Sequence, residues 1–177
     1  MVNGIALGVF MLIILLISAF VLTLLINAFL VPLFKTPKDV LEEIVNLMEL
    51  EKSDHVVDLG SGDGRILLKA HKYSGCKCTG YDISPIMLII ARTRRLLQFP
   101  LSKDFVFEAE DIFKADLSNF TKIYCYLDEK SMEILSERLR SFVEGGGEVY
   151  SFKYKIVGLD EDTVVLKNGK ELQIYRD

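Results

Sequence analysis

The residues best suited to chemistry lie in one stretch, His55-Val56-Val57-Asp58-Leu59-Gly60-Ser61-Gly62-Asp63-Gly64-Arg65, where an acid precedes three glycines spaced G-x-G-x-G. Glycine lets the backbone approach a ligand without a Cβ in the way. A dinucleotide site uses the spacing G-x-G-x-x-G and sets a pyrophosphate on a helix N-terminus. Here Asp58 stands two residues before the first glycine and Asp63 lies inside the loop, both poorly placed for phosphates. Carboxylates attract cations instead. S-adenosylmethionine carries a sulfonium and an ammonium in its methionine part, and it is the ligand this charge pattern suits. Asp58, Gly60, Ser61, Gly62 and Gly64 are the first candidate cofactor residues.

Two further acids stand where such a ligand needs them. Asp82 lies 18 residues after Gly64, at the end of an apolar run, placed to accept from ribose hydroxyls. The physics is that of the ribose-binding acid in dinucleotide folds. Asp111, in Glu110-Asp111-Ile112-Phe113, can accept from an adenine amino group, while Ile83 and Ile112 can cover the faces of the ring. One such acid would be ordinary turn chemistry. Three at the ends of successive strands point to one ligand, because open α/β sheets bind ligands at the carboxyl ends of their strands. Tyr126 and Asp128 follow the next strand, on the side where a methyl acceptor would enter, and are the catalytic candidates by position alone.

The elements that must carry these residues alternate. His55–Leu59, Cys76–Tyr81, Phe105–Glu108, Lys122–Leu127 and Glu148–Lys153 read as strands. Helices are expected over Ile66–Tyr73, from the Ser84-Pro85 cap to about Gln98, and over Glu129–Phe142. Thr36-Pro37 reads as a helix cap ahead of Val40, Ile44, Val45 and Met48 at helical spacing. Thr163–Leu166 and Glu171–Tyr175 flank Asn168-Gly169, the strongest short hairpin signal. The alternation predicts an α/β, Rossmann-like sheet, mostly parallel and covered on both faces, closed by an antiparallel C-terminal hairpin.

One segment stands apart. From Gly4 to Phe34 there is no Asp, Glu, Lys, Arg or His. Crossing a hydrocarbon core of about 30 Å takes about 20 helical residues, a length that Ile5–Leu25 supplies. A cleaved signal peptide needs a basic start, a shorter apolar run and a small-residue cleavage site, and none is found. A buried soluble helix is rarely apolar on every side. The expectation is a transmembrane anchor over 1–34, in the bilayer through residues 5–26, and a domain over 35–177. Lys35 and Lys38 follow the span and no Lys or Arg precedes it, so the positive-inside rule predicts a single-pass protein with a cytoplasmic domain. A net charge of −4 without a Lys/Arg-rich run argues against nucleic acid. Cys76-Lys77-Cys78 has the wrong spacing for a zinc half-site, so no metal is implied.

Asp58–Gly64, Tyr81–Pro85, Glu110–Phe113 and Tyr126-Leu127 resemble the signature of class I, seven-strand S-adenosylmethionine-dependent methyltransferases. More narrowly, the chain resembles a family of small membrane-anchored methyltransferases. Its eukaryotic members are mitochondrial protein-lysine N-methyltransferases acting on the ATP synthase c subunit and the adenine nucleotide translocator. The narrower features are an apolar helix just before the domain, Val31-Pro32 leading into Thr36-Pro37, Asp116-Leu117-Ser118, and Ser151-Phe152 closing the fifth strand. The resemblance covers about residues 31–155. It departs at Tyr126-Leu127-Asp128-Glu129, where the family has Leu-x-Pro character, and in lacking a Trp after Phe152. The resemblance implies methylation of a membrane-protein lysine. A lipid or small membrane-soluble acceptor, or a non-catalytic S-adenosylmethionine-binding subunit, remains open on the residues alone.

Overall fold

The computed structural model describes residues 2–30 and 35–176. Val31-Pro32, part of the resemblance above, falls outside them. The chain divides into two compact units, Met1–Leu33 and Phe34–Asp177. The first holds helix α1 (Val2–Leu30). Among the described residues this is the one helix long and apolar enough to cross a membrane, over Ala6–Thr23, and none of that window is buried by the protein itself. Its hydroxyls bond back along the helix, Ser18 donating to the Leu15 carbonyl and Thr23 to that of Ala19. Such back-bonding is the ordinary way in which Ser and Thr are satisfied inside a helix.

The second unit runs α2 (Leu41–Leu47), β1 (His55–Leu59), α3 (Arg65–Ser74), β2 (Lys77–Tyr81), α4 (Pro85–Gln98), β3 (Phe105–Glu108), β4 (Lys122–Cys125), α5 (Glu129–Glu144), β5 (Glu148–Phe152), β6 (Asp162–Val165) and β7 (Glu171–Tyr175). The seven strands form one sheet in the order β3-β2-β1-β4-β5-β7-β6. β1 to β5 pair in parallel, and β7 runs antiparallel to both β5 and β6. The expected mixed sheet and C-terminal hairpin are therefore present. Gly169, at φ +76°, makes the β6–β7 turn.

Side chains alternate across the sheet. Val56, Tyr124 and Tyr150 join the core under α2, α3 and α4, while Val57, Ile123 and Val149 join the core under α5. Near-continuous burial along these strands is what a sheet covered on both faces requires. The strand order reverses between β1 and β4, so a crevice opens at their carboxyl ends.

One local expectation fails. Thr36 does not cap a helix, and α2 begins only at Leu41, after a turn over residues 38–40. The Thr36 hydroxyl is taken by a buried hydrogen bond of 2.8 Å with the Tyr124 hydroxyl on β4. Val40, Ile44, Val45 and Met48 are nonetheless fully buried, as their spacing predicts.

Candidate functional site

Asp58 is the penultimate residue of β1, beside Gly80 of β2 and Tyr124 of β4 in register. It is only 4 % exposed, and no cation among the described residues pairs with it. Burial first, then the charges of Asp82 and Asp63, pushes its carboxyl well above the usual carboxylate range. It lines a narrow cavity of about 20 Å³ together with Thr36, Gly60, Ser61, Gly62 and Tyr126. That volume suits one small polar group, since a single water needs about 10–15 Å³. A buried carboxylate with no cation opposite is an unmet demand for one.

The glycine loop is held from the neighbouring strand. Gly60 and Ser61 N–H groups both donate to the Tyr81 carbonyl at 2.9 Å, and the Gly62 N–H donates to Asp82 Oδ2 at 2.8 Å. All three glycines have positive φ, which a side chain would resist. They differ in task. A Cβ on Gly62 would meet open space, whereas one on Gly64 would lie 2.9 Å from the Phe107 ring. Gly64 starts α3 and packs it on the sheet; it does not line the cavity. The Ser61 hydroxyl is buried without a partner.

Asp82 follows β2 directly. Its carboxylate also accepts from the Ser84 N–H at 2.7 Å, and Ser84 in turn caps α4. Two bonds leave lone pairs for a ligand, because an ionised carboxylate has about four acceptor sites. Asp111, three residues past β3, accepts from the Phe113 N–H at 3.0 Å and sits 3.5 Å from Lys114 Nζ. Ile83 is 70 % exposed beside Asp82, and Ile112 is half-buried against the α5-side core. The structure thus brings Asp58, Asp82 and Asp111 to the carboxyl ends of three adjacent strands.

Two acids have other employment. Asp63 is gripped by Arg65 at 2.5 Å and Arg94 at 2.9 Å. Burial would raise its carboxyl, but these cations outweigh it and hold it below the usual range. Asp63 is neutralised and offers no free charge to a ligand. Asp128 caps α5: its oxygens accept from the Ser131 N–H at 3.0 Å and the Ser131 hydroxyl at 2.7 Å. Both oxygens are engaged within the helix turn. Tyr126 lines the cavity and packs edge-on against Phe152, ring centroids 4.7 Å apart.

Sequence reasoning missed four contributors. Thr36 and Tyr124 form the polar wall opposite the glycine loop, and Arg65 ties that wall to the loop by donating to the Thr36 carbonyl at 2.8 Å. Gly80 is required because a Cβ there would fall 2.7 Å from both Phe107 and the Ser61 hydroxyl. A glycine inside the strand run Thr79-Gly80-Tyr81 was the available signal. A larger, shallow groove of about 500 Å³ lies between Leu117 and the far end of α5, and none of these site residues lines it.

The residues fit a cationic, ribose-bearing ligand: an unpaired buried carboxylate, an orphaned buried hydroxyl and an open glycine. Comparison with known proteins agrees. A family model described as the ANTKMT methyltransferase domain matches residues 58–163. Adenine nucleotide translocase lysine N-methyltransferase of Mus musculus is 26 % identical over 115 residues, covering 65 % of this chain and 49 % of the mouse protein. The chain therefore spans about half the length of that relative. A protein-lysine N-methyltransferase of Saccharolobus islandicus is 28 % identical over 141 residues, covering 76 % of this chain and 84 % of its own. Among solved structures, an RNA methyltransferase from Salinibacter ruber in complex with S-adenosyl-L-homocysteine is similar at a TM-score of 0.71 and 28 % identity, covering 80 % of this chain and 92 % of that one.

Proposed function

The chain belongs to the ANTKMT methyltransferase domain family, and from that premise we propose that it is a membrane-anchored enzyme methylating a lysine of a membrane protein. Its cofactor is S-adenosylmethionine. The observation that carries the reading is the row of Asp58, Asp82 and Asp111 at adjacent strand ends, with Asp58 buried and unpaired beside the glycine loop. Relatives named as lysine N-methyltransferases support the acceptor class. The apolar, unburied helix α1 supports the anchor, and Lys35 and Lys38 beyond it support a cytoplasmic domain.

When bound, the cofactor supplies a methyl group on a sulfonium, already electrophilic through its own charge. Asp58 would hold the ammonium, Asp82 the ribose hydroxyls and Asp111 the adenine amino group, with Ile83 and Ile112 over the ring. The remaining work is alignment and desolvation. An incoming lysine must shed a proton to expose its lone pair, and an aromatic wall that excludes water lowers its pKa. Tyr126, edge-on to Phe152 at the cavity, is the side chain placed to form that wall. Asp128 caps α5 with one bond to each oxygen, which leaves it acceptor sites beside Tyr126 for an incoming lysine.

The test is incubation of the full chain and a labelled methyl donor with native membranes, followed by separation of protein, lipid and RNA. The reading predicts label in protein, recovered as methyllysine. Label confined to lipid would establish a lipid methyltransferase; label in RNA would match the Salinibacter neighbour; no turnover beside tight cofactor binding would establish a binding subunit. Tyr126→Phe keeps the aromatic wall and should retain most activity, while Tyr126→Ala should lower kcat by at least tenfold with cofactor affinity unchanged. Equal kcat for the two variants would remove Tyr126 from the acceptor side.

A further inference from the structure

α4 is apolar on two sides. Met87, Leu88 and Ala91 are buried in the core. The outward side carries Ile86, Ile89, Ile90, Leu96 and Leu97, spaced by three, four and seven residues, which is one helical stripe. Ile89 is 62 % exposed, Leu97 78 % and Leu101, just past the helix, 93 %. Thr93 interrupts the stripe, its hydroxyl donating to the Ile89 carbonyl, but an exposed apolar cluster of this size marks a surface that is covered in use. Its flanks are basic. Between Ile83 and Lys103 the chain has Arg92, Arg94, Arg95 and Lys103 and no Asp or Glu. Arg94 is spent on Asp63, while Arg92 and Arg95 donate only to the Phe107 and Ser102 carbonyls and keep their charge.

We propose that this face of α4 docks on an anionic lipid surface, its apolar stripe in the headgroup region and the exposed Arg92 and Lys103 beside the phosphates. Charge and apolarity together are the signature of a helix lying in a bilayer interface, buried by about 5–10 Å. The segment is continuous with the cofactor site, because α4 starts three residues after Asp82. Docking would hold the strand ends that carry Asp82 and Ile83 at headgroup level, where a lysine on a short loop of a membrane protein is presented. This rests on the anchor reading of α1 proposed above, with four residues of sequence, 31–34, between the end of α1 and Lys35.

The native chain has no Trp, so one introduced Trp is a unique reporter. The full chain carrying Leu97→Trp, and a control carrying Ile134→Trp on the exposed side of α5, would be reconstituted into anionic vesicles with brominated acyl chains. Cofactor binding by each variant confirms the fold. The expected result is flotation of both with the vesicles, a blue-shifted and strongly quenched Leu97→Trp emission, and an unquenched Ile134→Trp emission. Flotation with Leu97→Trp as unquenched as the control overturns the docking and leaves the anchor standing. A blue shift without quenching means that a second copy or another protein covers the face, and also overturns it. Chains that fail to float overturn the anchor reading itself, and the docking with it.

Discussion

Asp58 stands out at the candidate site because no cation among the described residues neutralises it. Its folded pKa lies above its unfolded one, so its stabilising contribution is full below the unfolded pKa and lost as pH rises through the folded value. The ligand-free fold therefore weakens with rising pH across that window, by about 1.4 kcal/mol for each pH unit. In the role proposed for Asp58, cofactor binding would follow the opposite trend, because the carboxylate must be ionised to pair with an ammonium. Asp58→Asn should raise the ligand-free melting temperature at neutral pH while abolishing cofactor binding, read by scanning and titration calorimetry. A lowered melting temperature would show the carboxylate to be a structural partner instead. Asp82→Ala should weaken cofactor binding by about 1.5–3 kcal/mol, the range for hydrogen bonds to a charged group. Calorimetry showing unchanged affinity would remove Asp82 from the site. The placement of Asp58 and Asp82 at strand ends beside the glycine loop was legible in the sequence, because acids beside glycines are few. The employment of Asp63 and Asp128 was not: it depends on Arg94 reaching Asp63 from α4, and on Ser131 following Asp128 by one helical turn.

At the scale of elements, the parallel strands declared themselves through short apolar runs, and the hairpin through Asn168-Gly169. The Ser84-Pro85 start of α4 was also legible, since Ser84 does accept from the Met87 N–H. Thr36-Pro37 carried the same signal and misled. Capping chemistry is local, but Thr36 finds its partner 88 residues away on β4, and a long-range bond leaves no spacing to read. The outward stripe of α4 was hidden for a related reason, because an apolar helix reads as buried until the sheet shows which side it needs. Thr36→Val should strand the buried Tyr124 hydroxyl, which burial keeps protonated by pushing its pKa far up. The cost should be about 1–3 kcal/mol, seen as a lower urea midpoint with an unchanged m-value. An unaltered midpoint would show that the Thr36–Tyr124 bond does not hold the segment ahead of α2 against the sheet.

For the molecule as a whole, the proposed function divides the labour between the two compact units: α1 would supply location and residues 35–177 the cofactor site. Among the described residues no core residue lies ahead of Thr36, so the domain should fold without the helix. A tether raises the effective concentration of membrane-embedded acceptors, to about the mM range for a short linker. It does not touch cofactor affinity. The most direct measurement compares the full chain with residues 35–177 at matched concentration, on the same native membranes with a labelled methyl donor. Tethering predicts equal cofactor affinity for the two and methyllysine formation at least tenfold faster for the anchored chain. Equal rates from both forms would contradict it and point to a soluble acceptor.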